Sequence, residues 1–155
     1  MTTISIREAG PDGLPGLDDL LTRHWQLMRS QSPEDSCHVL SAEALRASGA
    51  RVFGLFEQDR LVATGALKPL GPEGVELKSM HVDRDRRGQG LGRALLDHML
   101  AQARDMTVAS AWLETGSAEP FAAARALYQQ AGFVPCPPFG DYVEDPLSVF
   151  MTRAL

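Results

Sequence analysis

Residues 75–95 place a β-favouring run, a basic glycine-rich loop and a helix-favouring stretch in direct succession. The loop carries Gly88, Gly90 and Gly92 at every second position, and the helical stretch begins immediately after them. Glycine lets a backbone approach a ligand closely, while the unpaired N–H groups and the dipole of a helix N-terminus favour negative charge. The segment therefore predicts a strand–loop–helix unit that binds a pyrophosphate.

Three known pyrophosphate-binding patterns can be compared with this loop. The Walker A pattern G-x-x-x-x-G-K-[ST] is excluded because the sequence contains no Gly-Lys pair. The dinucleotide pattern G-x-G-x-x-G/A fails because its sixth position is Arg93 or Leu95, depending on the glycine at which it starts. The pattern R/Q-x-x-G-x-G/A is satisfied in full by residues 87–92, which read Arg-Gly-Gln-Gly-Leu-Gly.

A second motif follows further along the chain. Residues 124–133 read Ala-Arg-Ala-Leu-Tyr-Gln-Gln-Ala-Gly-Phe and fit the pattern A-x-x-L-Y-x-x-x-G-F. They predict a short helix with Leu127 and Tyr128 on its apolar face, ended by Gly132. In this order the two motifs resemble those of the GCN5-related N-acetyltransferases, the GNAT family, and the resemblance extends over residues 3–155.

Composition limits the class of protein. The chain has 155 residues, 44% of them hydrophobic, which suits one domain spanning residues 1–155 with a sizeable core. A net charge of −5 argues against nucleic-acid binding. The sequence contains no run of 18 apolar residues, so no membrane-spanning helix is expected. The N-terminus lacks the features of a signal peptide, so a cytoplasmic location is expected. Cys37, Cys136 and the histidines have no metal-ligand spacing, so no metal is expected.

Apolar periodicity along the chain predicts alternating strands and helices. The predicted strands cover residues 3–9, 51–57, 61–69, 75–82, 111–114 and 147–152, and a further returning strand starts at Phe133. The predicted helices cover 16–29, 41–47, 90–105 and 120–130, and Ser41 is expected to cap the second of them. Residues 51–57 and 61–69 are expected to form a hairpin. The resemblance implies an α/β GNAT fold, with a mixed, mostly antiparallel sheet of six to seven strands. This sheet is splayed at the strand before the glycine loop, residues 75–82, which is called the motif strand. About four helices flank the sheet.

The resemblance implies an acyltransferase that uses acetyl-CoA. In such an enzyme an acetyl group moves to a primary amine of a small molecule by direct attack in a ternary complex. The amine must lose a proton, the oxyanion needs a donor, and the departing thiolate benefits from a proton. Glu76 is the first candidate for the base and Glu114 the second, either acting directly or through a water, and Tyr128 is the candidate acid. Glu76 could instead pair with Lys78 on the same strand face.

The resemblance also implies which residues contact the cofactor. Met80, His81 and Val82 are expected at the end of the motif strand, with the Val82 amide near the acetyl carbonyl. The other expected contacts belong to the glycine loop and the segment around the last helix: Arg87, Gly88, Gln89, Gly90, Leu91, Gly92, Arg93, Thr115, Phe121, Arg125 and Tyr128. Phe121 departs from the family pattern, because many members have an asparagine there that holds the pantetheine arm.

The acceptor site is expected between the first helices and the last hairpin. The candidate residues are charged or polar: Arg29, Glu34, His38, Lys78 and Asp141. Carboxylates among them could hold an ammonium group, and the basic residues could hold a carboxylate. A non-catalytic CoA-binding or regulatory module on the same fold is the alternative, and a different nucleotide pyrophosphate is a weaker one. Dimers are common on this scaffold, so a homodimer is a further expectation.

Overall fold

The computed structural model describes residues 3–31 and 40–155, and within them the chain forms seven strands and four α-helices. The strands are β1 (Ile4–Glu8), β2 (Arg51–Glu57), β3 (Arg60–Leu70), β4 (Gly74–Val82), β5 (Ser110–Gly116), β6 (Val134–Pro135) and β7 (Ser148–Ala154). The helices are α1 (Leu17–Gln31), α2 (Ala42–Ala47), α3 (Leu91–Asp105) and α4 (Ala122–Gln130). Short 3-10 turns at Arg84–Arg86 and Glu119–Phe121 precede α3 and α4.

All seven strands form one sheet in the order β1-β2-β3-β4-β5-β7-β6. Every neighbouring pair is antiparallel except β4 and β5, which run parallel. This is the mostly antiparallel α/β sheet flanked by about four helices that the sequence predicts, and the expected hairpin is formed by β2 and β3. In the described residues no helix is both long and apolar enough to cross a membrane.

The two faces of the sheet are covered by different helices. On one face, α3 buries six side chains against the sheet: Leu91, Leu95, Leu96, Met99, Leu100 and Ala103. On the other face, α1 buries Leu17, Leu20 and Leu21 in a cluster that includes Leu45 of α2. Each fully buried leucine contributes about 1.5–3 kcal/mol relative to an exposed one. The two cores therefore cover opposite faces of β2 and β3, which contribute side chains to both.

Strand β4 changes geometry halfway along its length. Thr64 pairs with His81 and Ala66 pairs with Lys78, so two residues of β4, Ser79 and Met80, oppose a single residue of β3. Ser79 adopts a left-handed backbone with φ of 56°, and the strand bulges at this point. The parallel pairing with β5 ends nearby, at Leu77 and Leu113. Beyond that pair the two strands separate, as the expectation of a splayed motif strand requires.

Most element boundaries differ from the sequence-based prediction by one or two residues, and two of these differences have a clear structural cause. Strand β5 extends to Gly116, because residues 114–116 pair with β7 after the contact with β4 has ended. The last long helix begins at Ala122 instead of Pro120, since residues 119–121 form a 3-10 turn with proline in its first positions. The predicted cap of the second helix is confirmed, because Ser41 Oγ accepts a hydrogen bond from the Ala44 amide at 3.2 Å.

The end of β5 offers a test of this packing. A Cβ atom added to Gly116 would lie 2.2–2.5 Å from three ring carbons of Phe121. Gly116→Ala should therefore lower the free energy of unfolding by about 1–3 kcal/mol, measured by urea denaturation followed by circular dichroism. Gly10→Ala is the matched control, because no atom lies within 4 Å of its added Cβ and its change should stay within about 0.5 kcal/mol. Equal unfolding midpoints for the two variants would contradict the Phe121 contact.

Candidate active site

A cleft of about 550 Å³ opens where β4 and β5 separate. On one side of the sheet its wall is formed by His24, Leu27 and Met28 of α1. On the other side its wall is formed by the glycine loop, the start of α3 and side chains of α4 that include Tyr128. The cleft therefore passes through the sheet, so that ligands on opposite faces can meet between the two strands.

The glycine loop leads directly into the first turn of α3. Gly88 and Gly90 have φ of 77° and 78°, the left-handed conformation that glycine adopts most easily. Gly90 is the N-cap of α3 and no side chain caps the helix, so its first N–H groups are available to a ligand. A Cβ atom on either glycine would have no neighbour within 4 Å. An open, uncapped N-terminus of a 15-residue helix fits a pyrophosphate.

Asp83 connects the glycine loop to the rest of the fold. This buried carboxylate accepts hydrogen bonds from the Arg84 amide at 2.9 Å, from Arg60 at 3.0 Å and from Arg23 at 3.5 Å. Arg60 lies on β3 and Arg23 lies on α1, so the loop is held from both directions. A charge-assisted bond of this kind is about twice as strong as a neutral one. The position of the loop thus depends on residues far apart in sequence.

The free side of β4 presents backbone groups to the cleft. The Asp83 amide donates to Val62 of β3 at 2.7 Å. Successive residues of an extended strand point their N–H groups to opposite sides. The N–H of Val82 therefore points away from β3 and toward the gap between β4 and β5. The Val82 carbonyl accepts a hydrogen bond from Arg87 Nε at 3.3 Å, which agrees with this direction. Val82 also lies against the glycine loop, 3.4 Å from a Cβ atom placed on Gly92.

Glu76 is engaged in a buried hydrogen-bonded triangle. Its carboxylate accepts a hydrogen bond from the Tyr142 hydroxyl at 2.5 Å and from Lys78 Nζ at 3.3 Å. Lys78 also donates to the Tyr142 hydroxyl at 2.9 Å. The side chains of Glu76 and Lys78 are 4% and 9% exposed, so the pair is shielded from water. The pairing of Glu76 with Lys78 that the sequence allowed is present, and Tyr142 completes it.

Glu114 is the first residue of β5 beyond the last pair with β4. Trp112 of β5 pairs with Glu76, and Glu114 lies two residues beyond Trp112. Glu114 and Glu76 are therefore on the same face of the sheet. Burial raises the pKa of Glu114 to about 7, and the negative charges of Glu76 and Asp145 act in the same direction. The nearby Ser148 hydroxyl and the Lys78 ammonium partly oppose the rise. A carboxyl group with this pKa can accept a proton near neutral pH.

Tyr128 lies on α4 with its ring in the core. The side chain is 7% exposed, and its ring packs edge-on against Phe133 at a centroid distance of 6.0 Å. Burial raises the pKa of Tyr128 above its ordinary value, and the charge of Glu114 raises it further. The hydroxyl therefore stays protonated at neutral pH and can act as a donor. Because Tyr128 and Glu114 both line the cleft, a proton acceptor and a proton donor share one cavity.

Arg125 has a different place from the one expected. Its guanidinium donates to the carbonyl of Gly116 at 2.7 Å and to that of Ala118 at 2.9 Å. It is absent from the cleft wall and holds the turn between β5 and α4 instead. Phe121, the residue that departs from the family pattern, does line the cleft and packs its ring on Gly116. The turn therefore presents an aromatic ring where an amide side chain was the family expectation.

The structure brings most of the predicted site residues into this one cleft. These are Glu76, Lys78, Met80, His81, Val82, Arg87, Gly88, Gly90, Leu91, Gly92, Arg93, Glu114, Thr115, Phe121 and Tyr128. Gln89 is absent from the wall along with Arg125. Of the predicted acceptor residues, Arg29 packs on Trp25 at 4.9 Å and Asp141 is exposed, and neither lines the cleft. Glu34 and His38 lie outside the described residues.

Several residues of the cleft were missed from the sequence. Ser79 forms the bulge, and nothing in its neighbours signals a left-handed serine. His24 had the helical spacing of a core residue and no chemical motif around it. Leu127 belongs to the second motif and could have been assigned to the cleft from its place beside Tyr128.

Comparison with known proteins gives the family. The profile described as "Acetyltransferase (GNAT) family" matches residues 14–133. The chain is 39% identical over 136 residues to YsnE of Bacillus subtilis (strain 168), an uncharacterised N-acetyltransferase, which covers 88% of this chain and 90% of that protein. It is 35% identical to the IAA acetyltransferase of Azospirillum brasilense, over 79% of this chain and 80% of that one.

The solved structures show the same fold. A GNAT family acetyltransferase from Elizabethkingia anophelis, crystallised with acetyl-CoA bound, superposes with a TM-score of 0.73 at 21% identity and covers 98% of both chains. The family profile spans more than half of the chain, and the cleft has the glycine loop and the splayed strands expected of an acyltransferase. The chain therefore belongs to the GNAT family and is an N-acetyltransferase enzyme.

Proposed function

We propose that this enzyme transfers the acetyl group of acetyl-CoA to a primary amine of a small molecule within a ternary complex, with Glu114 as base and Tyr128 as acid. The observation that carries the proposal is that Glu114 of β5 and Tyr128 of α4 share one cleft, which opens where β4 and β5 separate. Acetyl-CoA supplies the thioester that the amine attacks. The single-domain organisation, the homodimer and the cytoplasmic location stay predictions.

Glu114 is preferred over Glu76 as the base. Glu76 already accepts hydrogen bonds from Tyr142 and Lys78, both on its Oε2, and these bonds hold it in the triangle. Glu114 lies in the separated part of β5, and its pKa of about 7 suits proton removal near neutral pH. In this arrangement Glu76 influences the reaction through its charge, and Glu114 removes the ammonium proton directly or through a water.

Two further groups complete the proposed chemistry. The Tyr128 hydroxyl remains protonated because burial raises its pKa, so it can donate to the departing thiolate. The N–H of Val82 points into the gap between β4 and β5 and is the proposed donor to the acetyl oxygen.

The cofactor would be held by the other parts of the cleft. The N–H groups at the start of α3 and the Gly88–Gly92 loop would hold the pyrophosphate. Phe121 would pack against the pantetheine arm instead of hydrogen-bonding to it.

Thermal unfolding tests the choice of cofactor. A ligand present at about 100 times its Kd stabilises the folded state by roughly 2.7 kcal/mol. Acetyl-CoA and CoA should therefore raise the Tm by roughly 5–10 °C, whereas NAD and ATP should not. A larger shift with NAD or ATP would contradict the CoA assignment, and a shift with no release of CoA from acetyl-CoA with any amine would favour a non-catalytic module.

Two glutamine substitutions distinguish the candidate bases. Glu114→Gln should lower kcat/KM by about 10²- to 10⁴-fold, the usual contribution of a general base. Glu76→Gln should cost less than about tenfold and should move the acidic limb of the pH profile to lower pH. The direction follows because the charge of Glu76 raises the pKa of Glu114, and the base must be deprotonated to act.

The control for this pair is Glu119→Gln, an exposed carboxylate on the 3-10 turn before α4. All three variants are to be compared at several pH values, with bound acetyl-CoA checked by thermal shift. A near-normal Glu114→Gln enzyme together with an inactive Glu76→Gln enzyme would assign the base to Glu76.

Tyr128→Phe tests the acid. The substitution keeps the ring contact with Phe133 and removes only the hydroxyl. We expect kcat to fall by about 10²-fold or more, with little change in the Tm and in the affinity for acetyl-CoA, because the donor acts on the leaving group. An unchanged kcat, measured by CoA release under saturating substrates, would leave Tyr128 with a packing role only.

A further inference from the structure

His24 of α1 has a buried nitrogen that the fold does not satisfy. The residue is 6% exposed, and its Nδ1 has no hydrogen-bond partner among the described residues. An unsatisfied buried polar atom destabilises the folded state, and native proteins contain few of them. His24 lines the cleft, so a bound molecule is in a position to supply the missing partner.

His24 is paired with His81 of β4. Their rings lie 4.8 Å apart at an angle of 41°, and both belong to the cleft wall. His81 lies on the α1 face of β4, against His24. Met80 faces α3, because its sulfur and that of Met99 on α3 both lie next to Gly65. The two imidazoles therefore belong to the half of the cleft opposite the glycine loop and α3. That half is where an acceptor would approach if the cofactor occupies the other.

The charges around the two rings favour an anion. Arg23 and Arg87 act on His81 as positive charges, and the nearby carboxylate, Asp83, is already shared by two arginines and a backbone amide. Burial, the neighbouring imidazole and Arg87 lower the pKa of His24 to about 3, and burial and Arg87 lower that of His81 to about 4. A neutral imidazole can donate one N–H, while an added positive charge at this place is disfavoured.

We propose that the acceptor of this enzyme is an amine that also carries a carboxylate, and that His24 and His81 bind the carboxylate while the amine faces Glu114. The proposal rests on the proposed function, because it assigns the second half of the same cleft. Arg23 and Arg87 add long-range attraction, and Leu27 and Met28 provide an apolar wall for the carbon chain between the two ends.

The distance between the two imidazoles and Glu114 limits how long the acceptor must be. Lys78 and Glu114 each follow the last β4–β5 pair, and His81 lies three residues beyond Lys78. At roughly 3.3 Å per residue, less a little for the bulge, the imidazole and the base are separated by roughly 7–10 Å along the strand. An α-amino acid, whose amine and carboxylate are attached to the same carbon, would not bridge this distance as well as a longer ω-amino acid.

The test compares acids and amines of equal chain length as acceptors. We expect the wild-type enzyme to acetylate 5-aminopentanoate with a kcat/KM at least about tenfold above that of pentylamine, and to prefer it over glycine. His24→Leu should lower the ratio of acid to amine by about tenfold or more through KM of the acid, because it removes a hydrogen bond to a charged group. His24→Asn, which returns an amide near the place of Nδ1, should recover part of it.

Two controls separate this result from a loss of folding or of catalysis. His98→Asn changes a histidine on α3 that contacts Phe53 outside the cleft, and its acid-to-amine ratio should equal that of the wild type. His81→Asn is the second variant if His24→Leu fails to fold, and it should lower the same ratio. The shift in Tm with acetyl-CoA is measured for every variant, so that cofactor binding is followed independently of the acceptor.

The possible failures point to different conclusions. If amines and acids are acetylated equally well, or if the ratio is unchanged in both His24→Leu and His81→Asn, the carboxylate subsite is wrong and the acetyltransferase function stands. If none of the probes is acetylated although acetyl-CoA raises the Tm, the subsite is again wrong for this acceptor class. If acetyl-CoA neither binds nor turns over, the proposed function itself fails.

Discussion

The parallel pairing of β4 with β5 is the interaction on which the site depends, because of where it stops. Four residue pairs join the strands, from Gly74 and Ser110 to Leu77 and Leu113. Beyond them, the bulge at Ser79 and the continued pairing of β5 with β7 carry the two strands apart. The gap leaves backbone groups of β4 without a strand partner and opens a passage through the sheet. Cofactor loop, candidate base and candidate acid all meet at this passage.

Buried charge within the passage is arranged in two ways. Glu76 and Lys78 neutralise each other and are tied to Tyr142, which brings the β6–β7 loop against β4. Removing one member of such a buried pair is costly, because it leaves the other charge uncompensated. Glu114 lies next to this pair but is outside its hydrogen bonds, and burial holds its pKa near 7. Two glutamates on the same sheet face thus have different surroundings: Glu76 is held by Tyr142 and Lys78, and Glu114 is buried outside their hydrogen bonds.

Much of the architecture could be predicted from local sequence signals. The glycine spacing at residues 88–92 predicted the loop and the start of α3, and Ser41 predicted the start of α2, because these signals act within one helical turn. The hydrogen bonds of Arg125 could not be predicted in this way, since they join its side chain to carbonyls of Gly116 and Ala118 several residues earlier. The sequence favoured Glu76 over Glu114 as the base, because it could not show the bonds from Tyr142 and Lys78 to Glu76 or the burial of Glu114.

The sequence by itself determined the family, the order of strands and helices, and the residues of the glycine loop, since these depend on short-range spacing and hydrophobic periodicity. Only the tertiary structure decided which charged groups are paired and which remain able to react. Tyr142 reaches Glu76 across 66 positions of sequence, and His24 of α1 meets His81 of β4. Such contacts depend on how separate elements pack, and packing sets the burial and the neighbouring charges that determine each pKa. For that reason the chemistry of the cleft follows from the fold, whereas its cofactor loop can be read from the chain.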